Sequence, residues 1–592
     1  MPVKKALFTN LIFVFMAKSV LQKPLSIAHP DRNAFDVGYT NKFTSSLGML
    51  LPCYVRECNP NEHYRINPRM LCRSMPMNSA AFIQCTQNIE FYFVPYRLLW
   101  SSFPQWFVGT NYDVTTFRKG EEKSTFPSFD LGKVFQTISG STISTQYTDV
   151  LGYSLTKGAL RLLDLLGYGD FSRFDDILNL KIDSVKVSPF RLLAYQKVCS
   201  DFYRVPNYEK SRVSSYNVDQ PVTLGSGSWL DFVSKYLQLR YRPWKKDLYT
   251  ISSTTFQGSD FMSNTISSPQ FPSGSQSNIV SLVPTTDNSS GFQGRLESSD
   301  ASYHIMTIAN LRSAFALDKL YRLSAQAGDG DYKSQIKARF GFDPYAPQYK
   351  SEFVGSASAP VSIDQVTTTA DTLSSNGDNG TPAGRIYGNA YARSSSGFFE
   401  YDVKEHGILI GLSSFVPDVD YSSYGINPFN TKINREDYFQ PEFDNLGKQP
   451  LSSLCFNPWL QVNVPSGGTE PPSHALKLVN TVLGWFPRYV EYKTSVDEVH
   501  GQLNGWLNRS FDRAPSLSLW TAPRFNSSDS KKFDNWRDNG LSLDFFYIDP
   551  NLYDSIFVNQ YRGDQSEDQF ICEVSNNVQA ILPMSVSGEP LI

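Results

Sequence analysis

The residues with the most suggestive chemistry form one short segment, residues 240–246, in which basic and aromatic side chains alternate. Its four cations and two rings are Arg240, Arg242, Lys245 and Lys246 with Tyr241 and Trp244. Cations neutralise phosphate and rings stack on bases, which is the usual chemistry of sequence-independent binding to single-stranded nucleic acid. A solvated loop or a contact between subunits explains the same residues. If the segment binds DNA, reversing its charges should reduce the DNA that the protein holds.

Four large aromatic residues are crowded onto a second short segment: Trp100, Phe103, Trp106 and Phe107. Aromatic rings are enriched where subunits meet, so these residues are candidates for a subunit interface. Such residues are as commonly buried in the core of their own chain. Both explanations stay open from the sequence.

Carboxylates beside histidines are the only arrangement that suggests catalysis. They occur at Glu405-His406 and within residues 497–500, as an acid–base site needs. Six histidines in 592 residues produce such neighbours by chance, and no Gly-x-Ser-x-Gly or His-Glu-x-x-His motif is present. The seven cysteines lack the paired spacing of zinc sites and are expected to be free, buried thiols. The sequence therefore predicts no enzyme, no cofactor and no metal site.

Strands are the main elements available to position these residues. Alternation from Asn88 places Ile89, Phe91 and Phe93 on one face of a strand that Pro95 ends. A continuous apolar run at residues 407–412 is typical of a strand buried on both faces. Further alternation near the end of the chain predicts strands at residues 541–547, 570–574 and 578–584.

Helices are few, and long polar segments separate the strands. Helical patterns cover residues 159–166, 190–203 and 308–323, of which the first ends before Gly167 and the second follows Pro189. Segments rich in Ser, Gly, Asn and Thr at residues 250–302, 355–397 and 505–539 are predicted to be loops. Strands this far apart in sequence must pair through a Greek-key or jelly-roll topology.

Composition supports a β-rich protein, and the net charge limits how the protein could bind nucleic acid. Aromatic residues make up 14% of the chain and charged residues 19%, which argues against disorder. The net charge is only −3, from 54 basic and 57 acidic residues. Any contact with nucleic acid must therefore be a local patch or be assisted by a separate basic partner, which disfavours a transcription factor or nuclease.

Ordered blocks along the chain resemble the major capsid proteins of gokushovirus-like Microviridae, small icosahedral phages with single-stranded DNA. No single block is diagnostic, but together they span residues 33 to 588. They are residues 33–36, 51–55, 90–100, 189–196, 311–315, 337–341, 405–412, 441–447, 484–493 and 583–588. Residues 112–153 and 355–392 look like material added to the family pattern.

The resemblance implies an all-β fold, an eight-stranded antiparallel jelly roll with long inter-strand insertions that carry a few short helices. It further implies a structural protein of the virion that forms a T=1 icosahedral shell around circular single-stranded DNA and is assembled in the bacterial cytoplasm. The expected partners are copies of itself, the DNA genome, a small basic DNA-packaging protein and a host surface receptor. Residues 31–592 would form one capsid domain, and residues 250–302 would be a surface insertion that projects at the threefold axes.

The amino terminus leaves a rival interpretation. Residues 1–30 are predicted to be an arm, and the basic, then apolar residues 1–15 resemble a secretory signal or an over-extended start before Met16, which we favour. The apolar stretch is too short to span a bilayer, so no membrane insertion is expected. With a true signal, the aromatic and β-rich composition would fit a secreted or surface carbohydrate-binding β protein. Sedimentation as closed particles that protect DNA would distinguish the capsid protein from that alternative.

Overall fold

A computed structural model gives the fold of the chain. It describes residues 32–74, 84–108, 126–139, 149, 151, 153–171, 184–206, 209, 229–252, 281–284, 294–297, 350–367, 386–395, 397–422, 425–455, 459–464, 473–478, 482–500, 543–550 and 568–586. The predicted arm at residues 1–30 and the predicted helix at residues 308–323 lie outside these residues.

Strands dominate the described structure. They are β1 (Asn33–Asp36), β2 (Tyr39–Ser45), β3 (Leu51–Cys58), β4 (His63–Ser74), β5 (Cys85–Pro95), β6 (Phe129–Asp130), β7 (Lys186–Val187), β8 (Ser281–Pro284), β9 (Gly294–Glu297), β10 (Glu352–Thr367), β11 (Ile386–Ser395), β12 (Phe399–Asp402), β13 (Gly407–Pro417), β14 (Tyr421–Ser422), β15 (Lys448–Ser452), β16 (Trp459–Val464), β17 (Ser473–Leu478), β18 (Val482–Pro487), β19 (Glu498–Val499) and β20 (Phe570–Leu582). The predictions for β5 and β13 are confirmed, and the two patterns at residues 570–584 form the single strand β20.

The long strands form two antiparallel sheets of four strand positions each. In the first, called the open sheet, β2 and β1 pair with β20, β20 pairs with β4, and β4 pairs with β11 and β12. In the second, called the covered sheet, the order is β3, β13, β5 and β10. The end of β10 pairs with β11 and joins the sheets at one edge. The chain is therefore an all-β, eight-stranded jelly roll, as predicted.

The two sheets face each other across an apolar core. Inward side chains of the open sheet, such as Ile66, Cys72 and Val574, pack with Phe91 and Leu409 of the covered sheet. Alternation along β4 and β20 places every second residue in this core and the others on the outside. The alternation read from the sequence at residues 570–584 thus holds for β20 of the open sheet.

Short helices cover the other face of the covered sheet. They are α1 (Tyr96–Leu99), α2 (Phe103–Val108), α3 (Leu131–Ser139), α4 (Leu155–Leu165), α5 (Phe190–Phe202) and α6 (Trp229–Tyr236). Val94 of β5 and Ile408 and Ile410 of β13 pack into a second core with these helices. Because both faces are covered, all eleven residues of β13 are buried, which explains its continuous apolar sequence.

Helix α5 lies inside this layer and carries a buried ion pair. Its apolar residues point in all directions, as expected for a helix surrounded by protein. Lys197 Nζ lies 2.8 Å from Asp201 Oδ1, and both side chains are 1% exposed. Asp201 also accepts hydrogen bonds from the backbone and hydroxyl of Ser351. The pair thereby connects the helix layer to the residue just before β10.

Two long connections hold most of the remaining chain. Residues 96–351 connect β5 to β10 and include the six described helices, while residues 418–569 connect β13 to β20. The second connection contains the short turns Pro428–Thr431, Arg435–Asp437, Pro441–Leu446, Ser453–Cys455, Val490–Tyr492 and Leu543–Phe546. A third apolar cluster joins the two connections through Tyr249, Tyr421, Leu451 and Phe546. Within the predicted surface insertion 250–302, the β8–β9 hairpin is described.

The loop predicted at residues 355–397 is wrong, because most of it forms β10 and β11. Small residues made this segment resemble a loop, but Ala357 and Ala359 face the inter-sheet core. A Cβ atom on Gly355 would lie 2.7 Å from the ring of Phe399. The Phe399 ring therefore occupies the space that Gly355 leaves. That residues 355–392 are added to the family pattern stays a prediction.

The strand predicted at residues 541–547 is also wrong where it is described. Leu543–Phe546 is a 3₁₀ turn, and Phe545 and Phe546 are both buried in the third apolar cluster. The adjacent residues Phe545 and Phe546 therefore do not point to opposite faces, one buried and one exposed, as the alternating sequence had predicted.

The seven cysteines are free, and six of them are buried. Burial raises the pKa of the Cys85 and Cys199 thiols to about 12, so both stay protonated and unreactive at neutral pH. None of the helices among the described residues is long and apolar enough to span a membrane.

Candidate assembly and nucleic-acid surfaces

Most of the basic–aromatic segment 240–246 is packed inside the subunit. The backbone of Arg240 and Arg242 bonds with the β2–β3 turn at Leu50 and Gly48. Arg240 is 8% exposed, and its Nε donates to Oε1 of Gln196 at 2.9 Å. Trp244 is 6% exposed and belongs to the inter-sheet core.

Arg242 forms a two-point ion pair with Glu90 of β5. Its Nη1 and Nη2 atoms donate to the two carboxylate oxygens at 3.0 Å each, and Nη1 also donates to Ser414 Oγ at 2.8 Å. The two charged side chains are 19% and 16% exposed. Burial opposes the charge of Arg242, but the adjacent carboxylate outweighs it and raises the pKa of Arg242. The guanidinium therefore holds a carboxylate of the sheet.

Two phenols complete this network around Glu90. Tyr203 donates to the carboxylate, and Tyr92 donates to it at 3.3 Å while lying 2.9 Å from the Tyr203 hydroxyl. Burial raises the pKa of both phenols, and the Glu90 charge raises it further. Both stay protonated and available as donors.

Only Lys245 and Lys246 of the predicted cluster have exposed side chains. Lys245 Nζ lies 2.5 Å from Asp418 Oδ1 in an exposed pair, with side chains 67% and 42% exposed. The role of Arg240, Arg242, Trp244, Lys245 and Lys246 in DNA binding stays a prediction, and the exposed side chains among them are these two lysines.

The four predicted interface aromatics divide into two pairs. Trp100 is fully buried and Phe103 is 8% exposed, so both belong to the core of the subunit. Trp106 and Phe107 are 37% and 57% exposed. The Phe107 ring lies 4.3 Å from that of His406. The interface prediction therefore stays open for Trp106 and Phe107.

A larger exposed aromatic patch lies in the β13–β20 connection and was missed from the sequence. Its members are Phe429, Ile433, Tyr438, Phe439 and Tyr492, which are 44%, 85%, 52%, 47% and 45% exposed. Beneath them Lys432 Nζ lies 2.6 Å from Glu491 Oε1, with both side chains about 95% buried, and 4.3 Å from the centre of the Tyr492 ring. The buried charge pair fixes the backbone on which the apolar residues are presented.

The outer face of the open sheet carries a row of arginines. Alternation in β4 directs Arg65, Arg69 and Arg73 outward. Arg65 lies 4.0 Å from Glu400 and over the Phe398 ring. Arg69, Arg73 and the neighbouring Arg393 of β11, here called the arginine triad, form no ion pair with any carboxylate of the described residues.

Strand register brings the triad together around exposed apolar groups. Arg393 lies opposite Leu71, and Tyr391 lies opposite Arg73. Arg393 is thus the diagonal neighbour of both other arginines, at about 7–8 Å. Leu71 and Tyr391 are 41% and 45% exposed. The sequence signal for this surface was the spacing of four residues between Arg65, Arg69 and Arg73, but Arg393 is more than 300 residues away.

The two places where a carboxylate neighbours a histidine have different surroundings. The two oxygens of Glu405 accept from Arg97 Nε at 3.1 and 2.8 Å, and His406 packs against Phe107. His500 and Glu498 are exposed and 3.4 Å apart. Within the described part of the chain, no group of three or more His, Cys, Asp or Glu side chains is arranged to hold a metal ion.

Comparison with known proteins decides the family. A family model described as capsid protein (F protein) matches residues 25–152 and 167–592. The chain belongs to this capsid protein family. Capsid protein VP1 of Chlamydia phage 1 is 22% identical over 647 aligned residues, which cover 94% of this chain and 95% of that protein. The resemblance to the major capsid proteins of gokushovirus-like Microviridae is confirmed.

Membership of the capsid protein family gives a meaning to the surfaces. A capsid protein is a structural component of the virion and assembles with copies of itself into a shell. Such a subunit needs surfaces that other copies bury and one side that faces the enclosed volume. The aromatic patch and the open sheet are the exposed surfaces described above.

Proposed function

We propose that this capsid protein builds a T=1 icosahedral shell around circular single-stranded DNA, assembled in the cytoplasm of a host bacterium. The observation that carries the proposal is the two-sheet jelly roll in which the described helices pack on the covered sheet. Strand β13 of the covered sheet is buried on both faces, whereas β4 and β20 of the open sheet alternate buried residues with outward, mostly polar ones. This two-sided subunit suits a shell, with the helix layer on one side and the open sheet on the other.

Contacts between copies are proposed to bury the aromatic patch of residues 429–439 and Tyr492. A closed shell of one chain needs heterologous contacts around its fivefold and threefold axes. Aromatic side chains are enriched among the residues that dominate such contacts, and burial of apolar surface is favourable in proportion to its area. Ile433, 85% exposed at the surface of one subunit, gains most by burial against a neighbour. Trp106 and Phe107 are proposed as a second contact.

Further roles follow from the family resemblance and the charge of the chain. The insertion at residues 250–302 is proposed to project at the threefold axes and to contact a host surface receptor. A net charge of −3 leaves most of the genome charge unbalanced, so a small basic DNA-packaging protein is proposed as a partner. No catalytic role is proposed. The carbohydrate-binding alternative gains no support from the family comparison.

Production of the chain in bacteria tests this function. Sucrose-gradient sedimentation and electron microscopy should show closed particles of uniform size, and treatment with nuclease should leave circular single-stranded DNA inside particles formed with the phage genome. The Ile433→Asp variant is the matched control, because it should stay folded but not assemble. A wild-type chain that remains monomeric at high concentration and binds a glycan column would contradict the proposal.

A further inference from the structure

The open sheet presents a cationic site, the arginine triad, that forms no ion pair with a carboxylate of the described residues. Glu573 of β20 lies opposite Leu71 on the same face, but it is paired with Lys42. Elsewhere on this face, cations have carboxylate partners: Lys42 Nζ lies 3.4 Å from Glu573, and His63 Nδ1 lies 2.8 Å from Asp402. The arginine triad has no such partner among the described residues. Its three positive charges are therefore concentrated at one end of the sheet, beside β11.

Apolar and aromatic groups lie within the triad, which distinguishes it from a merely solvated surface. Leu71 occupies the position between Arg69 and Arg73 on the outer face, and the half-exposed Tyr391 ring is adjacent to Arg73. Guanidinium groups bind phosphate oxygens with two parallel hydrogen bonds. A neighbouring ring supplies a platform for a base, which adds affinity without sequence preference.

We propose that the arginine triad, with Tyr391, is a contact site for the single-stranded DNA inside the shell, an inference that rests on the proposed function. The charge of the triad favours this occupant, because three arginines without an ion pair among the described residues attract a polyanion and repel a small basic packaging protein. The position of the triad also favours DNA, because the triad lies on the open sheet and the helix layer lies on the opposite side of the jelly roll. The open sheet then faces the enclosed volume.

The test compares two triple variants with equal changes in charge. Arg69→Gln, Arg73→Gln and Arg393→Gln together remove the triad. Lys133→Gln, Lys157→Gln and Lys186→Gln together remove three exposed lysines of the β5–β10 connection. Each chain is assayed for particle formation by sedimentation, for enclosed DNA after nuclease treatment, and for binding of a labelled single-stranded oligonucleotide as a function of salt.

The triad variant loses three phosphate contacts. The slope of the logarithm of the binding constant against the logarithm of the salt concentration should therefore become shallower by about 2, and affinity for the oligonucleotide at 0.1 M salt should fall by about 100-fold. The triad variant should form particles that contain little DNA, and Tyr391→Leu should weaken binding by about tenfold. The lysine variant should bind and package like the wild type.

Other results would overturn the inference. The inference fails if the triad variant binds the oligonucleotide and packages DNA like the wild type. It also fails if the lysine variant loses as much binding and packaging as the triad variant. A triad variant that binds the oligonucleotide normally but fails to assemble would show that a protein neighbour covers this face. Failure of the proposed function would look different, since the wild-type chain itself would then form no particles.

Discussion

Replacing Arg242 with Met should destabilise the subunit and leave its affinity for DNA unchanged. The substitution removes both hydrogen bonds to Glu90 and the one to Ser414. It also leaves the Glu90 carboxylate, 16% exposed, without its cation. Loss of one partner of a buried ion pair costs about 3–5 kcal/mol. Because both side chains retain some exposure, we expect the lower value, about 3 kcal/mol.

Urea unfolding of the unassembled chain, followed by tryptophan fluorescence, measures this loss. Lys245→Met is the matched control from the same segment, since its exposed pair with Asp418 should contribute about 0.5 kcal/mol or less. The double variant Glu90→Gln with Arg242→Met should recover part of the lost stability, because no unpaired carboxylate remains. An Arg242→Met chain with wild-type urea stability and reduced DNA content would refute this account and support a direct role of Arg242 in DNA binding.

Three further predictions concern the core, the interface and pH. Gly355→Val should lower the free energy of unfolding by about 1–3 kcal/mol, because the new side chain overlaps the Phe399 ring. Gly397→Ala is the control and should be tolerated, because the space around its Cβ is open. Equal urea midpoints for the two variants would contradict the close contact between Gly355 and Phe399. Ile433→Asp should abolish particles in sedimentation while the urea midpoint of the chain is unchanged, and normal particles would exclude the patch as an interface. Burial lowers the pKa of His406 below its ordinary value of 6.5, so the folded state disfavours the proton and stability should fall as pH drops below about 6.5. His406→Gln should lack that part of the pH dependence of urea unfolding, and an identical pH profile in the variant would count against it.

Strands with large side chains were predictable from sequence alone. Alternation in β5 and β20 and the apolar run in β13 identified elements whose burial is set by local pattern. Strands β10 and β11 were missed because their core residues are small. Ala357, Ala359 and Ala392 are buried in the inter-sheet core, but small residues in a strand resemble those of a loop.

The candidate sites were harder to predict, because partners distant in sequence decide the role of a charged residue. Arg242 is followed by an aromatic and two lysines, which suggested DNA, yet the fold brings Glu90 to it from 152 residues away. Arg69 and Arg73 look equally ordinary in sequence. They become part of a site only where β11 adds Arg393 to their face of the sheet. The family resemblance was readable because it depends on ordered blocks over the whole chain.

Electron cryo-microscopy of particles that contain the genome tests the central claim most directly. We expect a T=1 shell in which the helix layer faces outward and the open sheet faces inward, with density for nucleic acid on Arg69, Arg73 and Arg393. A shell whose open sheet faces outward or is buried against a neighbouring subunit would contradict the account.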